Sequence, residues 1–304
     1  VMALSGNPAP ESPIQYASQA IAVGGEFFGY TSLSKYIWEN WKDDPRKPGV
    51  LNKMKPKDNA HLIAIKLWVK ENCFVRRLED LDLGSERVYD RKMVSLNSKQ
   101  REAIGWAIKR KNITHPDFAE DVFIGHMNHI AAGVNPQTKD VISIAKQKLV
   151  LNQFITKAEP TVVFSFFTIP LETGFELFKS YGIKCACITG KSVKSYVDKV
   201  IENFQNGYID VLFAQSNLVK MGKDLSRANI SYFISNSFSN DTRGQVEMRT
   251  TNIAKDEPVR IVDICTRDTF DNGLVDSLTT KKKNSTSFMK SIGIKIKQLE
   301  SKHA

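Results

Sequence analysis

Gln245 and Arg249 stand four residues apart in Asn240-Asp241-Thr242-Arg243-Gly244-Gln245-Val246-Glu247-Met248-Arg249, a spacing that puts both on one face of a helix. A guanidinium at that place can reach across a cleft to a nucleotide's terminal phosphate, where charge developing during phosphoryl transfer needs a cation. Upstream, Gly222-Lys223-Asp224-Leu225 joins a glycine, which lets backbone approach a ligand, to a carboxylate able to accept from a ribose hydroxyl. Thr189-Gly190-Lys191-Ser192 is a small-residue turn that can offer amides and a lysine to a phosphate. Ser165, Ser216 and Lys220 follow short apolar runs, and the last two can also meet phosphate. Each feature has a plainer alternative: a helix cap at Thr189, a structured loop capped by Asp224, and a solvated helix face for Gln245 and Arg249.

The elements that must position these residues are legible in the same stretch. Apolar runs at 161–167, 183–188, 210–214, 232–235 and 259–264 read as strands. Helical patterns lie at 171–181, closed by Gly182, and from Ser192 or Ser195 to Phe204, closed by Asn206-Gly207. Strands alternating with helices predict an α/β fold with a parallel sheet and helices on both faces. In such sheets ligands sit at the carboxyl ends of strands, which is where the candidate residues fall. Earlier in the chain, the pattern predicts a loop through the prolines of 5–13, a helix at 59–77 and a strand at 87–96. A helix follows at 97–111, capped by Asn97 or Ser98, then an irregular 112–137 and a helix at 138–158. The sheet is thus preceded by a mainly helical region. The expected division is 1–158, 159–282 for the α/β domain, and a basic tail at 283–304.

Forty-three Lys and Arg against 33 Asp and Glu leave a net charge of +10, which favours a polyanionic partner. No run of about 18 apolar residues occurs and the first residues lack a signal-peptide pattern, so a cytoplasmic chain with no membrane contact is expected. The four cysteines, Cys73, Cys185, Cys187 and Cys265, are scattered and read as reduced thiols, with Cys185 and Cys187 expected on opposite faces of their strand. His126 and His129, three apart with Asp121 nearby, have ligand-like spacing but no second pair close by, so no metal site is expected. Trp38, Trp41 and Trp68 read as core before partner anchors, and Lys281-Lys282-Lys283 as a solvated face.

Taken in order, these segments resemble the C-terminal half of Swi/Snf-like superfamily-two helicases, including their phage-type relatives. Residues 161–167 look like motif IV, and Ile188-Thr189-Gly190 like the phosphate-contacting turn after it. Phe204-Gln205-Asn206-Gly207 through Gly222-Lys223-Asp224-Leu225 looks like the path into motif V, and Gln245 to Arg249 like motif VI. Thr269-Phe270-Asp271 with Lys281 resembles the closing helix. Leu4-Ser5-Gly6-Asn7-Pro8 resembles motif III, and Phe74 to Asp80 the segment between lobes. The resemblance covers most of the chain.

It implies a second RecA-like lobe, with Arg249 and Gln245 as catalytic residues and Gly222, Asp224 and Arg249 facing ATP. Ser165, Thr189, Gly190, Lys191, Ser216 and Lys220 would face the backbone of double-stranded DNA, with Lys194 adding charge. No G-x-x-x-x-G-K-(S/T) loop and no D-E-x-(H/D) box occurs in the sequence. ATP and Mg²⁺ would then be held mainly by a first lobe, upstream or on a separate subunit, and the chain alone is expected to be inactive. Asn252 stands where the second motif VI arginine belongs, so Arg249 or Arg243 would have to serve as the finger. The alternative is a degenerate lobe kept as a DNA-binding or protein-interaction module.

Overall fold

The computed structural model describes residues 14–22, 25–43, 54–72, 87–219, 222–251 and 258–279. The motif III-like segment, Phe74 to Asp80, Cys73, Lys220, Asn252 and the basic tail lie outside these residues. The chain divides into two compact units, 1–83 and 84–304.

The first unit holds α1 (Ile14–Ala22), α2 (Leu33–Asn40), α3 (Asn59–Asn72) and a two-stranded antiparallel pair, β1 (Trp41–Lys42) and β2 (Lys55–Pro56). Ser32 caps α2 by accepting from the Lys35 amide. Phe27, Tyr36, Trp41 and Ile65 are buried together, and Trp68 packs against them, so Trp41 and Trp68 are core residues. Trp38 is 80% exposed, with the Lys57 ammonium over its ring.

The second unit is built on a six-stranded sheet in the order β3-β8-β7-β4-β6-β5, every neighbouring pair parallel. Its strands are β3 (Arg87–Val94), β4 (Thr161–Ser165), β5 (Cys185–Ile188), β6 (Val211–Gln215), β7 (Ile230–Phe233) and β8 (Val259–Thr266). The period of two in each strand divides the side chains between two helical layers. Val162, Phe164, Leu212 and Ala214 pack against Val197, Val200, Ile201 and Phe204 of α8 (Lys194–Gln205) and Val246 of α10 (Asn240–Thr250). Val163, Val211, Phe213 and Tyr232 face the other way. They meet Val150 and Leu151 of α6 (Ala145–Lys157) and Leu171 and Phe178 of α7 (Thr168–Ser180). A third cluster joins α4 (Ser98–Ile113), α5 (Pro116–Ala131) and α11 (Asp271–Thr279) through Ile104, Phe123, Met127, Phe270 and Leu274. The parallel α/β sheet with helices on both faces is as expected. No described helix is long and apolar enough to cross a membrane.

Several local expectations change. The irregular stretch expected at 112–137 contains α5, which begins at Pro116, a residue suited to a helix's first position. Its buried residues Phe123, Met127 and Ile130 recur at helical spacing, hidden in the sequence among His, Asn and Asp. The helix expected from residue 138 begins only at Ala145. Before it, Asn135 Oδ1 accepts from the amides of Gln137 and Thr138, a side-chain turn that competes with helix. Asn97 caps α4 with a reciprocal Gln100 contact. Cys185 and Cys187 lie on one face of β5, not on opposite faces: a period of two brings residues two apart back to the same side, and both pack against the α6–α7 cluster. Cys185, Cys187 and Cys265 are free thiols. Burial pushes their pKa values up, to about 11 for Cys185 and about 12 for the other two, so none is a ready thiolate.

Candidate nucleic-acid interface

The carboxyl ends of β5, β6, β4 and β7 are tied into one belt. Gln215, the last residue of β6, accepts from the Gly190 amide after β5 at 2.7 Å and donates to the Phe166 carbonyl after β4 at 3.1 Å. Ser165 Oγ lies 2.6 Å from Ser235 Oγ after β7, and the Phe166 amide donates to Ser235 at 3.0 Å. The order of strands places these turns side by side, although they come from distant parts of the chain. Gln215 and Ser235 carry this arrangement, and neither stands out in the sequence. The available signal is a polar residue at or just beyond the end of an apolar strand.

The belt assigns different positions to the candidate residues. Ser165 is fully buried and its hydroxyl also serves Phe167. Ser216 is buried at the start of the four-residue helix α9 (Ser216–Val219). In the turn after β5 the Thr189 amide donates to Ser192 Oγ, the Gly190 amide to Gln215, the Lys191 amide to Thr189 Oγ1 and the Ser192 amide to the Thr189 carbonyl. The turn therefore satisfies its own amides, and what it presents outward is the exposed Lys191 side chain. The next turn is different. α8 begins after Val193 and α7 after Phe167, and neither has a side-chain cap. A helix start leaves amides without intrahelical acceptors and a partial positive charge. Both starts follow strands that flank β6, so both sit at the same sheet edge. Lys194, Val193 and Tyr196 are exposed around the α8 start.

A second grouping joins the stretch after β6 to α10. Gly222 has φ +68°, the left-handed region that favours glycine. Asp224 Oδ1 accepts from the Ser226 amide at 2.9 Å, and the Leu225 amide donates to the Arg249 carbonyl at 2.9 Å. Lys223 is paired with Asp198 of α8. The backbone after Asp224 is thus tied to the end of α10 at Arg249. Gln245 donates to both oxygens of Asp241, one turn earlier, at 3.0 and 2.9 Å.

Arg243 is not available as a finger. It is 4% exposed and sits between Asp263 of β8, which it grips with two bonds of 2.6 and 2.9 Å, and Glu247, bonded to its Nε at 2.5 Å. Asn236 accepts from it at 2.9 Å, and its guanidinium carbon is 3.5 Å from the centre of the Phe233 ring. Burial works against the charge, but the carboxylates of Asp263 and Glu247 outweigh it and hold the pKa above the ordinary value. Glu247 also accepts from Tyr89 of β3 at 2.9 Å. Arg243 therefore anchors α10 to the sheet.

His126 and His129 do not form a metal site with neighbours: among the described residues no group of three or more His, Cys, Asp and Glu is placed to hold an ion. The His129 ring lies 4.1 Å from Phe167, beside the belt. Burial, with the charge of Lys139 and the nearness of His126 adding to it, pushes its pKa from 6.5 to about 4. The folded state then binds this proton more weakly than the unfolded chain. Stability contributed by neutral His129 is intact above about 6.5 and is lost as pH falls towards about 4. Denaturant melts at about pH 7 and about pH 4.5 should differ by on the order of 1–2 kcal/mol more in the native chain than in His129→Leu, after allowing for solvent screening. Equal pH dependence in the two would refute this account.

Residues 145–253 match the family described as helicase conserved C-terminal domain. Among solved structures the chain is similar to the C-terminal part of the Fun30 ATPase domain, with 12% identity and a TM-score of 0.54, covering 71% of this chain and 99% of that one. It is similar to the Sulfolobus solfataricus SWI2/SNF2 ATPase core domain, with 12% identity and a TM-score of 0.54 over 76% of this chain and 51% of that chain. It is also similar to the Sulfolobus solfataricus SWI2/SNF2 ATPase C-terminal domain, with 13% identity and a TM-score of 0.50 over 66% of this chain and 89% of that one. The chain thus spans about half the length of that core domain. Comparison with curated protein sequences gives no match. The sheet unit has a RecA-like fold.

Proposed function

We propose that this chain, with its helicase C-terminal domain at 145–253, is the C-terminal motor lobe of an ATP-dependent helicase or translocase moving on double-stranded DNA. The observation that carries the reading is the pair of uncapped helix starts, α7 and α8, at one sheet edge beside exposed Lys191 and Lys194. Helix N-termini and lysines hold phosphates without reading bases, which suits a machine that moves along any sequence. Thr189 and Gly190 shape that edge, while Ser165 and Ser216 act from inside it. Lys220 adds charge nearby in sequence. On the other grouping, Gly222, Asp224 and Arg249 face ATP, and Gln245 orders the start of α10. ATP and Mg²⁺ chemistry is supplied mainly by a first lobe with a P-loop and acidic box, upstream or on a partner subunit.

Two measurements test this. The chain alone should bind duplex DNA with a steep salt dependence, and Lys191→Glu with Lys194→Glu should weaken binding at least about tenfold and reduce the salt slope by about 1.8. Combined with its P-loop lobe, the chain should show DNA-stimulated ATP hydrolysis that Arg249→Ala lowers by roughly a thousandfold. A pair that binds DNA and ATP but never hydrolyses refutes the motor. The sequestration of Arg243 favours the second reading in that event, a lobe kept as a DNA-binding or protein-interaction module without ATPase activity.

A further inference from the structure

The C-terminal half of α4 and the middle of α5 line an open cleft of about 520 Å³, with Trp106, Lys109, Arg110, Ile113, His126 and Gln137 around it. None of the lining residues is acidic. Lys109 and Arg110 are exposed, and Ile113 is 74% exposed. The Trp106 and His126 rings lie 5.0 Å apart. Nδ1 of His126 is buried with no hydrogen-bond partner.

Cations in the last turn of a helix complement its dipole, and that alone would explain Arg110. It does not explain a tryptophan and an imidazole lining the same basic cleft. Aromatic rings interleaved with cations recognise nucleic acid bases and phosphates together, and the rings can reach a base face only where the base is unpaired. The volume is within the range that takes a small-molecule-sized group, such as one nucleotide unit. Burial, followed by the fields of Lys139 and Arg110, holds His126 below its ordinary pKa, so at neutral pH it is a neutral hydrogen-bonding group.

We propose that the α4–α5 cleft is a second nucleic-acid site that takes single-stranded nucleic acid, with one base against Trp106 and His126 and the flanking phosphates on Lys109 and Arg110. Gln137 meets the edge of the base. None of its lining residues is one of those inferred to contact the duplex.

The test uses the full 304-residue chain and a labelled oligothymidine, read by fluorescence anisotropy over a salt series. Lys109→Glu with Arg110→Glu should weaken oligothymidine binding roughly tenfold or more and reduce the salt slope by about 1.4, while duplex binding is kept. Both side chains are exposed, so folding should survive. Trp106→Phe, which retains an aromatic ring, should remove the part of the tryptophan quenching that oligothymidine causes. Unchanged affinity and slope in the double variant overturn the proposal. Equal loss of duplex and single-strand binding shows one shared site and overturns it too. Thymidine monophosphate binding as tightly as the oligomer would reassign the cleft to a free nucleotide. Polyglutamate competing for it as well as oligothymidine does would reassign it to an acidic peptide.

Discussion

Arg243→Met should destabilise the sheet unit by about 3–5 kcal/mol in urea or guanidinium melts. The guanidinium donates to both oxygens of Asp263, to Glu247 and to Asn236, in a site where all these side chains are buried. Methionine fills a similar volume but leaves two carboxylates in a medium that cannot solvate them. Arg243→Lys should rescue only part of the loss, because an ammonium cannot make the paired contact with Asp263. Removing the carboxylates together with the cation, by combining Arg243→Met with Asp263→Leu and Glu247→Leu, should return most of the stability. A loss below about 1 kcal/mol for Arg243→Met would contradict the anchoring role. The consequence extends to the site. α10 carries Gln245 and Arg249, and the Arg249 carbonyl holds the Leu225 amide, so loosening α10 loosens the Asp224 loop as well.

Gly133→Ala should cost about 3–5 kcal/mol, from the left-handed backbone together with forced displacement of a neighbour. Gly133 has φ +86°, and a Cβ added there would sit 2.2 Å from the Ser143 carbonyl oxygen. Backbone cannot swing aside as a long side chain can. The Gly133 carbonyl also accepts from the amides of Ile142 and Ser143, closing the loop between α5 and α6. Gly105→Ala supplies the contrast. That glycine lies inside α4 with nothing within 4 Å of the added Cβ, so alanine should stabilise by up to about 1 kcal/mol. Equal effects at the two positions would show that the close approach of Ser143 is not what requires glycine.

The strand–helix alternation after residue 160 was legible because each strand is a short apolar run and each turn carries its own punctuation. Gly182 and Gly207, with φ +72° and +83°, end helices where the sequence marks them. α5 was not legible, since its apolar positions are diluted by polar residues that the protein uses: Asn128 donates to the Asn236 carbonyl and His129 packs on Phe167. The turn at Thr189 was recognised as a turn, but not that its amides are spoken for. Hydrogen bonds to Ser192 and Gln215 depend on partners that spacing alone does not identify.

Local order, then, is what the sequence by itself determined: which segments are strands, where the chain turns, and that small and charged residues follow the strands. Periodicity and turn chemistry are properties of neighbours along the chain. Which strands become neighbours is not, and only the tertiary structure decided it. β3, expected as a strand, lies far before the α/β run with nothing in its sequence to name its partner, yet it pairs along its length with β8 and closes one side of the sheet. Arg243 reads as a spare cation until Asp263, twenty residues on, is brought beneath it. A charge acquires its role from what burial places around it, and that placement is set by packing rather than by spacing.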